Sequence, residues 1–251
     1  EIVQKTKWVY KVPMTKTFIK MHGLGNDFAI FDARAKRLDM TEAQIRALAD
    51  RRAGLGFDQM VIIAPAKSPE SAAFIRIYNA DGGEVGACGN ASRCVAHLLM
   101  NELKNPAVVL ETKAALLKAQ RVGSKVMVDM GKAHLEWKEI PLSRKEKTTF
   151  LPIFEEGFSE PVAVNVGNPH AVFFVEDVSK IPLETFGPKI ENHILFPEKT
   201  NVEVAQVLSP SRIRMLVWER GAGITQACGT GACAVGVAGF RRGLTGRKVT
   251  I

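Results

Sequence analysis

No apolar run in this 251-residue chain approaches the roughly 20 residues that a helix needs to cross a bilayer, so a soluble protein with no membrane partner is expected. The opening stretch EIVQKTKWVYKVPMTKTF carries lysines but neither the apolar core nor the cleavage site of an export signal. Cysteine is scarce. Four cysteines (Cys88, Cys94, Cys228, Cys233) do not make a disulfide scaffold, and a reducing cytoplasmic location is expected. Their spacings are C-x5-C and C-x4-C rather than the C-x2-C of zinc knuckles, so no metal is expected. Aromatic residues make up 7% of the chain and do not interleave with the basic ones, which argues against a single-stranded nucleic-acid platform. The net charge of +8 is spread over short, separate runs such as RR at 51–52 and FRRGLTGRK at 240–248. That is a solvated basic surface, and no nucleic-acid partner is expected from it.

What is present is an alternation of short strands with a few helices. FIKMHG and FAIFDA (18–33) read as strand, turn and strand, and TEAQIRALADRR (41–52) as a helix with Thr41 at its N-cap. MVIIAPA and AAFIRIYNA are strands, and CGNASRCVAHLLMNEL (88–103) has helical periodicity. AVVLETKA, ALLKAQ and KVMVDMG follow as a meander. LEWKEIPLSRKEKTTFLPIF (135–154) is polar and punctuated by proline, and reads as the crossing into a second half. VAVNVG, AVFFVED, TNVEVAQVLSP and RIRMLVWERG are strands, CGTGACAVGVAGFRRG (228–243) is a helix, and RKVTI opens another strand. Residues 1–13 read as an N-terminal extension, with Met14 the more convincing start. The two halves then run over 14–133 and 134–251.

Those halves look like copies. At an offset of 140 residues Ala87-Cys88-Gly89 falls on Ala227-Cys228-Gly229, Asn90 on Thr230, and Tyr78-Asn79 on Trp218-Glu219. Two residues further out, Gly25-Asn26 falls on Gly167-Asn168 and Gln59 on Asn201. Each half thus places a cysteine where a Gly turn enters a helix. The free N–H groups and the dipole of a helix start favour anions, so they favour a thiolate and can also hold a carboxylate. Glycine after the cysteine lets a ligand approach the backbone. Two such turns on opposite sides of an α-amino acid would invert its α-carbon. One thiolate takes the proton from one face and the other thiol returns one to the opposite face. N–H donors would hold the enediolate between those steps. No lysine motif for pyridoxal phosphate appears, so no cofactor is expected.

The motifs MHGLGNDF, GFDQ, YNADGGEVGACGN, GNPHAVFFV, TNVEV and ERGAGITQACGTGACA, in this order across 21–236, resemble the diaminopimelate epimerase family. The resemblance implies an α+β fold of two pseudo-symmetric β-barrel-like domains, each wrapped on a central helix. It implies interconversion of LL- and meso-diaminopimelate in lysine and peptidoglycan biosynthesis, and a homodimer. It makes Cys88 and Cys228 the acid/base pair. Gly89, Asn90, Gly229 and Thr230 become the donors to the reacting carboxylate. Asn26, Gln59, Asn79, Asn168, Asn201, Glu219 and Arg220 bind the rest of the substrate, and His170 and Glu219 flank the thiols. Arg220 suits the distal carboxylate by a bidentate pair. Ala91 and Ser92 stand where the family usually has Gly followed by Ala or Thr, which narrows the first cradle. Ala115 replaces a usual Gly, and a further strand is expected after Ile251 by the family pattern.

Two alternatives compete. Proline racemases and hydroxyproline epimerases share this chemistry, but they usually carry His where Asn90 stands and lack the ERGAG context. A non-catalytic metal-binding module would use the four cysteines as ligands. Cys94 and Cys233, deeper along their helices, read as core packing.

Overall fold

A computed structural model describes residues 4–7, 16–155 and 157–251, and the chain divides into two compact units, 1–131 and 132–251. Of the extension expected at 1–13, only Gln4–Lys7 is described. Met14 lies outside the described residues.

In the first unit the strands are β1 (Gln4–Lys7), β2 (Thr17–Gly23), β3 (Asn26–Asp32), β4 (Gln59–Ala64), β5 (Ala73–Asn79), β6 (Glu84–Val85), β7 (Ala107–Glu111), β8 (Leu116–Val122) and β9 (Lys125–Asp129). Helix α1 (Glu42–Ala49) crosses between the parallel strands β3 and β4, and α2 (Gly89–Glu102) follows β6. The sheet order is β1-β2-β3-β4-β5-β7-β8-β9, with β6 beside β5. α2 touches both β2 and β9, near opposite ends of that order, so the sheet curls around the helix.

Alternation along the strands explains the two faces. Phe28, Ile30, Val61, Ile63, Ile75 and Ile77 point to the α2 side, where Ala91, Cys94, Val95 and Leu99 meet them. Ala29, Phe31, Met60, Ile62 and Tyr78 point to the other side and cover Ile45 and Ala49 of α1. Each fully buried large side chain contributes about 1.5–3 kcal/mol of transfer free energy. α1 starts on a capping box. Thr41 Oγ1 accepts from Gln44 N–H, and Gln44 Oε1 accepts from Thr41 N–H at 2.9 Å.

The second unit opens with the 135–154 segment. Its Ile140, Leu142, Leu151 and Ile153 are buried in that unit's core, so it is part of the packing rather than a polar crossing. Its strands are β10 (Phe154–Glu155), β11 (Phe158–Ser159), β12 (Val162–Asn165), β13 (Pro169–Phe174), β14 (Asn201–Ser209), β15 (Arg212–Glu219) and β16 (Gly223–Ile224), with helices α3 (Leu183–Glu191) and α4 (Gly229–Arg241). The order β12-β13-β14-β15-β16 repeats β2-β3-β4-β5-β6, with the same sequence of antiparallel, parallel, antiparallel and antiparallel pairs. α3 crosses between the parallel β13 and β14 as α1 does between β3 and β4. Even the register repeats: Phe28 opposes Gln59 as His170 opposes Asn201, and Met60 opposes Tyr78 as Val202 opposes Trp218.

One expectation is corrected, and one helix joins those expected. RKVTI does not open a strand. Thr250 forms a single bridge to Arg212 at the start of β15. Helix α3 was not foreseen, because Gly187-Pro188 reads as a breaker. It forms because Phe186 and Ile190 are buried in the core and Gly187 lies flat on the Trp218 ring, where a Cβ would stand 2.5 Å from the indole. No helix among the described residues is long and apolar enough to cross a membrane.

Candidate active site

In the first unit the expected residues gather at one end of the sheet. Asn26 opens β3 and Gln59 opens β4. These strands run parallel, so both residues lie at the same end, and the antiparallel β5 returns there at Asn79. The Gly25 turn, with φ of 89°, sets Asn26 at its mouth. A reciprocal clasp fixes Asn26 and Gln59. Asp58 accepts from Asp27 N–H at 2.9 Å and from Asn26 Nδ2 at 3.2 Å, and Asp27 accepts from Asp58 N–H at 2.9 Å. Arg51 bridges the two carboxylates at 2.7 Å each, and Lys20 lies 2.8 Å from Asp27. Burial would raise the Asp27 carboxyl, but its bonds from Arg51 and Lys20 hold it well below the usual range. Gln59 donates to Asn79 at 2.8 Å, and its buried Oε1 has no partner among the described residues.

Cys88 caps α2 in an extended conformation and is half-buried. Gly89 and Asn90 form the first turn, and Arg93 donates to the Asn90 side chain. Asn90 also packs against Gly23, at the end of β2. Cys94 is buried in the core around α2, and Cys233 packs partly buried on the core around α4, as core cysteines do.

The second unit repeats the arrangement with other side chains. Asn168 follows Gly167, whose φ is 102°, and lies 2.9 Å from His170 Nε2. His170 is fully buried, and its Nδ1 lies 2.7 Å from Glu203 Oε1. Asn201 is committed to the backbone: it accepts from Arg220 N–H at 3.0 Å and donates to Pro169 C=O at 2.8 Å. It therefore orients the turn that carries Glu219 and Arg220. The Arg220 guanidinium donates to Glu198 C=O at 2.9 Å and has no carboxylate partner among the described residues.

Cys228 caps α4. Its sulfur accepts from Gly231 N–H at 3.3 Å and lies 3.3 Å from the Thr230 hydroxyl. The helix start was expected to depress this thiol. The structure reverses that expectation. Burial, then Glu219 and Glu203, push Cys228 well above the ordinary thiol value, against the Thr230 and Gly231 contacts. Burial also raises the Glu219 carboxyl, which accepts from Thr225 Oγ1 and hydrogen-bonds with Cys228.

The sequence profile described as diaminopimelate epimerase matches residues 18–136 and 162–251. The chain belongs to the diaminopimelate epimerase family. Among its curated relatives are diaminopimelate epimerases of Rhodospirillum centenum, 51% identical over 95% of this chain and 82% of the relative, and of Erythrobacter litoralis, 50% identical over 95% and 86%. Similar solved structures include a probable proline racemase of Agrobacterium radiobacter, with a TM-score of 0.67 at 17% identity over 91% of this chain and 78% of the other. A hydroxyproline epimerase of Agrobacterium vitis has a TM-score of 0.64 at 17% identity over the same shares. At these identities the likeness is one of fold. It agrees with the α+β, paired-unit architecture of the family.

Arg51, Glu191, Glu203 and Thr225 went unnoticed in the sequence as site residues. Glu203 alone left a trace there: a carboxylate amid the apolar residues of TNVEVA, where a strand covered on both faces would ordinarily carry none.

Proposed function

We propose that this chain epimerises LL-diaminopimelate to meso-diaminopimelate, with Cys88 and Cys228 as the two acid/base groups. The observation that carries the reading is the repeated cysteine N-cap. One thiol stands at the start of α2 and one at the start of α4, each on the same strand framework, in a chain that belongs to this family. Two halves, 14–133 and 134–251, each supply one base.

The chemistry balances without a further reagent. A cysteine thiolate takes the α-proton and becomes a thiol, and the C–H electron pair passes into the carboxylate as an enediolate. The opposite thiol gives its proton to the other face of the carbon and is left as thiolate. First-turn N–H groups of Gly89, Asn90, Gly229 and Thr230 suit the enediolate oxygens. Asn26, Gln59, Asn79 and Asn168 offer amides for the ammonium and carboxylate groups, and Arg220 takes the distal carboxylate. Asn201 and Glu219 hold the Arg220 turn and the Cys228 thiol. Cys228 rests as thiol, so it is ready to donate.

Incubation with LL-diaminopimelate in deuterated water tests this. The isomer ratio should move toward meso, with one deuterium entering at the inverted α-carbon. Racemisation of proline with diaminopimelate untouched would overturn the substrate assignment. The cytoplasmic setting and a homodimer belong to the same reading. A sedimentation mass of 27.5 kDa alone would set the dimer aside.

A further inference from the structure

Glu203 has no part in the scheme above. It lies in β14 between Val202 and Val204 and is fully buried. Enclosing a carboxylate costs several kcal/mol unless partners replace its water. Here the replacement is incomplete. Oε1 meets His170 Nδ1 at 2.7 Å, and Oε2 has no partner among the described residues. The ionisable groups that bear on Glu203 are His170 from β13, Glu219 from β15 and Cys228 at the start of α4. Gly231 marks how close the last of these comes. A Cβ there would stand 2.8 Å from Glu203 Oε1 and 3.3 Å from Cys228 Sγ, so the oxygen and the sulfur border the same small space.

We propose that Glu203 is a positioning residue of the Cys228 half-site, fixing the His170 hydrogen on Nδ1 and laying a negative charge across Gly231 from the sulfur. An ionised carboxylate only accepts, so the hydrogen between the two groups belongs to the imidazole. That fixes the ring and leaves Nε2 as an acceptor 2.9 Å from the Asn168 side chain, which completes the pair by turning its amide nitrogen, rather than Oδ1, to the ring. The same charge disfavours a second negative charge at Cys228, which keeps that sulfur protonated until the reaction uses it. A brace needed for packing alone would be served by an amide of the same shape, without the cost of a half-satisfied charge.

The inference rests on the reading of Cys228 as an acid/base group, and its test is independent of turnover. The pH dependence of Cys228 alkylation by iodoacetamide, followed on the Cys228 peptide by mass spectrometry, reports thiolate formation at that residue. In Glu203→Gln the midpoint is expected to fall by about one pH unit or more. In Glu203→Asp, which keeps the charge, it stays near the wild-type value. The kcat/KM limb governed by Cys228 should move with it. A midpoint unmoved in Glu203→Gln overturns the proposal, even if activity is lost. The wild-type protein gives a second test that needs no variant at Glu203. Nitrogen NMR of histidine-labelled enzyme, with His170 assigned through His170→Asn, should show the hydrogen on Nδ1, and a bare Nδ1 overturns the proposal. A shifted midpoint in a protein that ignores diaminopimelate would defeat the substrate reading while leaving Glu203 in its role. Turnover with an unshifted midpoint would do the reverse.

Discussion

At the scale of single residues, the two cysteines occupy equivalent caps in unequal surroundings. Cys228 is 7% exposed and sits among carboxylates, whereas Cys88 is half-buried. Replacing either with alanine removes one proton-transfer group, so epimerisation should fall by about 10²–10⁴-fold or more. Exchange of the α-proton of one stereoisomer with deuterated solvent should persist through the remaining thiol. Full turnover by either variant would contradict the two-base scheme. The Asp27 clasp makes a separate prediction. Its folded value lies below the ordinary 3.8, so the folded chain binds fewer protons than the unfolded one in that range. The stability it contributes is present above pH 3.8 and is lost as pH falls through the folded value. Asp27→Asn should therefore flatten the decline of the denaturation midpoint in acid. An unchanged slope in urea titrations across acid pH would count against the clasp. The cysteines, asparagines and Arg220 were legible in the sequence because their motifs are local strings. Arg51 and Glu203 were not, because their partners Asp27 and His170 lie 24 and 33 residues away in the chain.

At the scale of elements, periodicity revealed every strand of five or more residues and three of the four α-helices. The exception is α3, whose Gly187-Pro188 pair argues locally for a break. Packing against Trp218 decides otherwise. This helix also governs the site. At its last residue Glu191 accepts from Trp218 Nε1 at 2.7 Å and from Gly221 N–H at 3.1 Å, pinning the turn that bears Glu219 and Arg220. Glu191→Ala should cost about 1–3 kcal/mol of stability by leaving the indole N–H and the Gly221 amide without their acceptor. It should raise KM for diaminopimelate more than it lowers kcat if Arg220 takes the distal carboxylate as proposed above. Steady-state kinetics beside thermal melts would separate the two effects, and an unchanged KM would detach α3 from substrate binding. In the first unit the corresponding crossover is α1, and Thr41→Ala should lower its stability by about 1 kcal/mol through loss of the capping box.

At the scale of the whole molecule, the chain is one plan used twice. The duplication was visible as a weak repetition of Gly-Asn, Gln/Asn and Ala-Cys-Gly at nearly constant separation. The structure gives it substance through identical strand order and register. What remained out of sight was the use of the 135–154 segment, whose charged surface residues mask four buried aliphatic ones. Each unit has its own apolar centre, and α2 is the axis of the first. Leu99, 1% exposed in that centre, is the residue to hollow out. Leu99→Ala should cost about 2–5 kcal/mol. Hydrogen exchange should report it as lost protection in α2, β3 and β4, with the α4 amides in the same spectrum as the comparison.

The offset between the copies changes from 142 residues at Gln59 and Asn201 to 140 at Tyr78 and Trp218. The difference is absorbed at the end of β4 and β5 remote from Asn26, Gln59 and Asn79, where residues 65–72 form a loop whose Lys67 and Ser68 N–H groups donate to Glu111 and the second copy makes a short hairpin between Ser209 and Arg212. Length has thus drifted at the rim away from Asn26, Gln59 and Asn79. A peptide epitope or fluorescent reporter spliced into 65–72, or new chain ends opened there, should leave turnover intact.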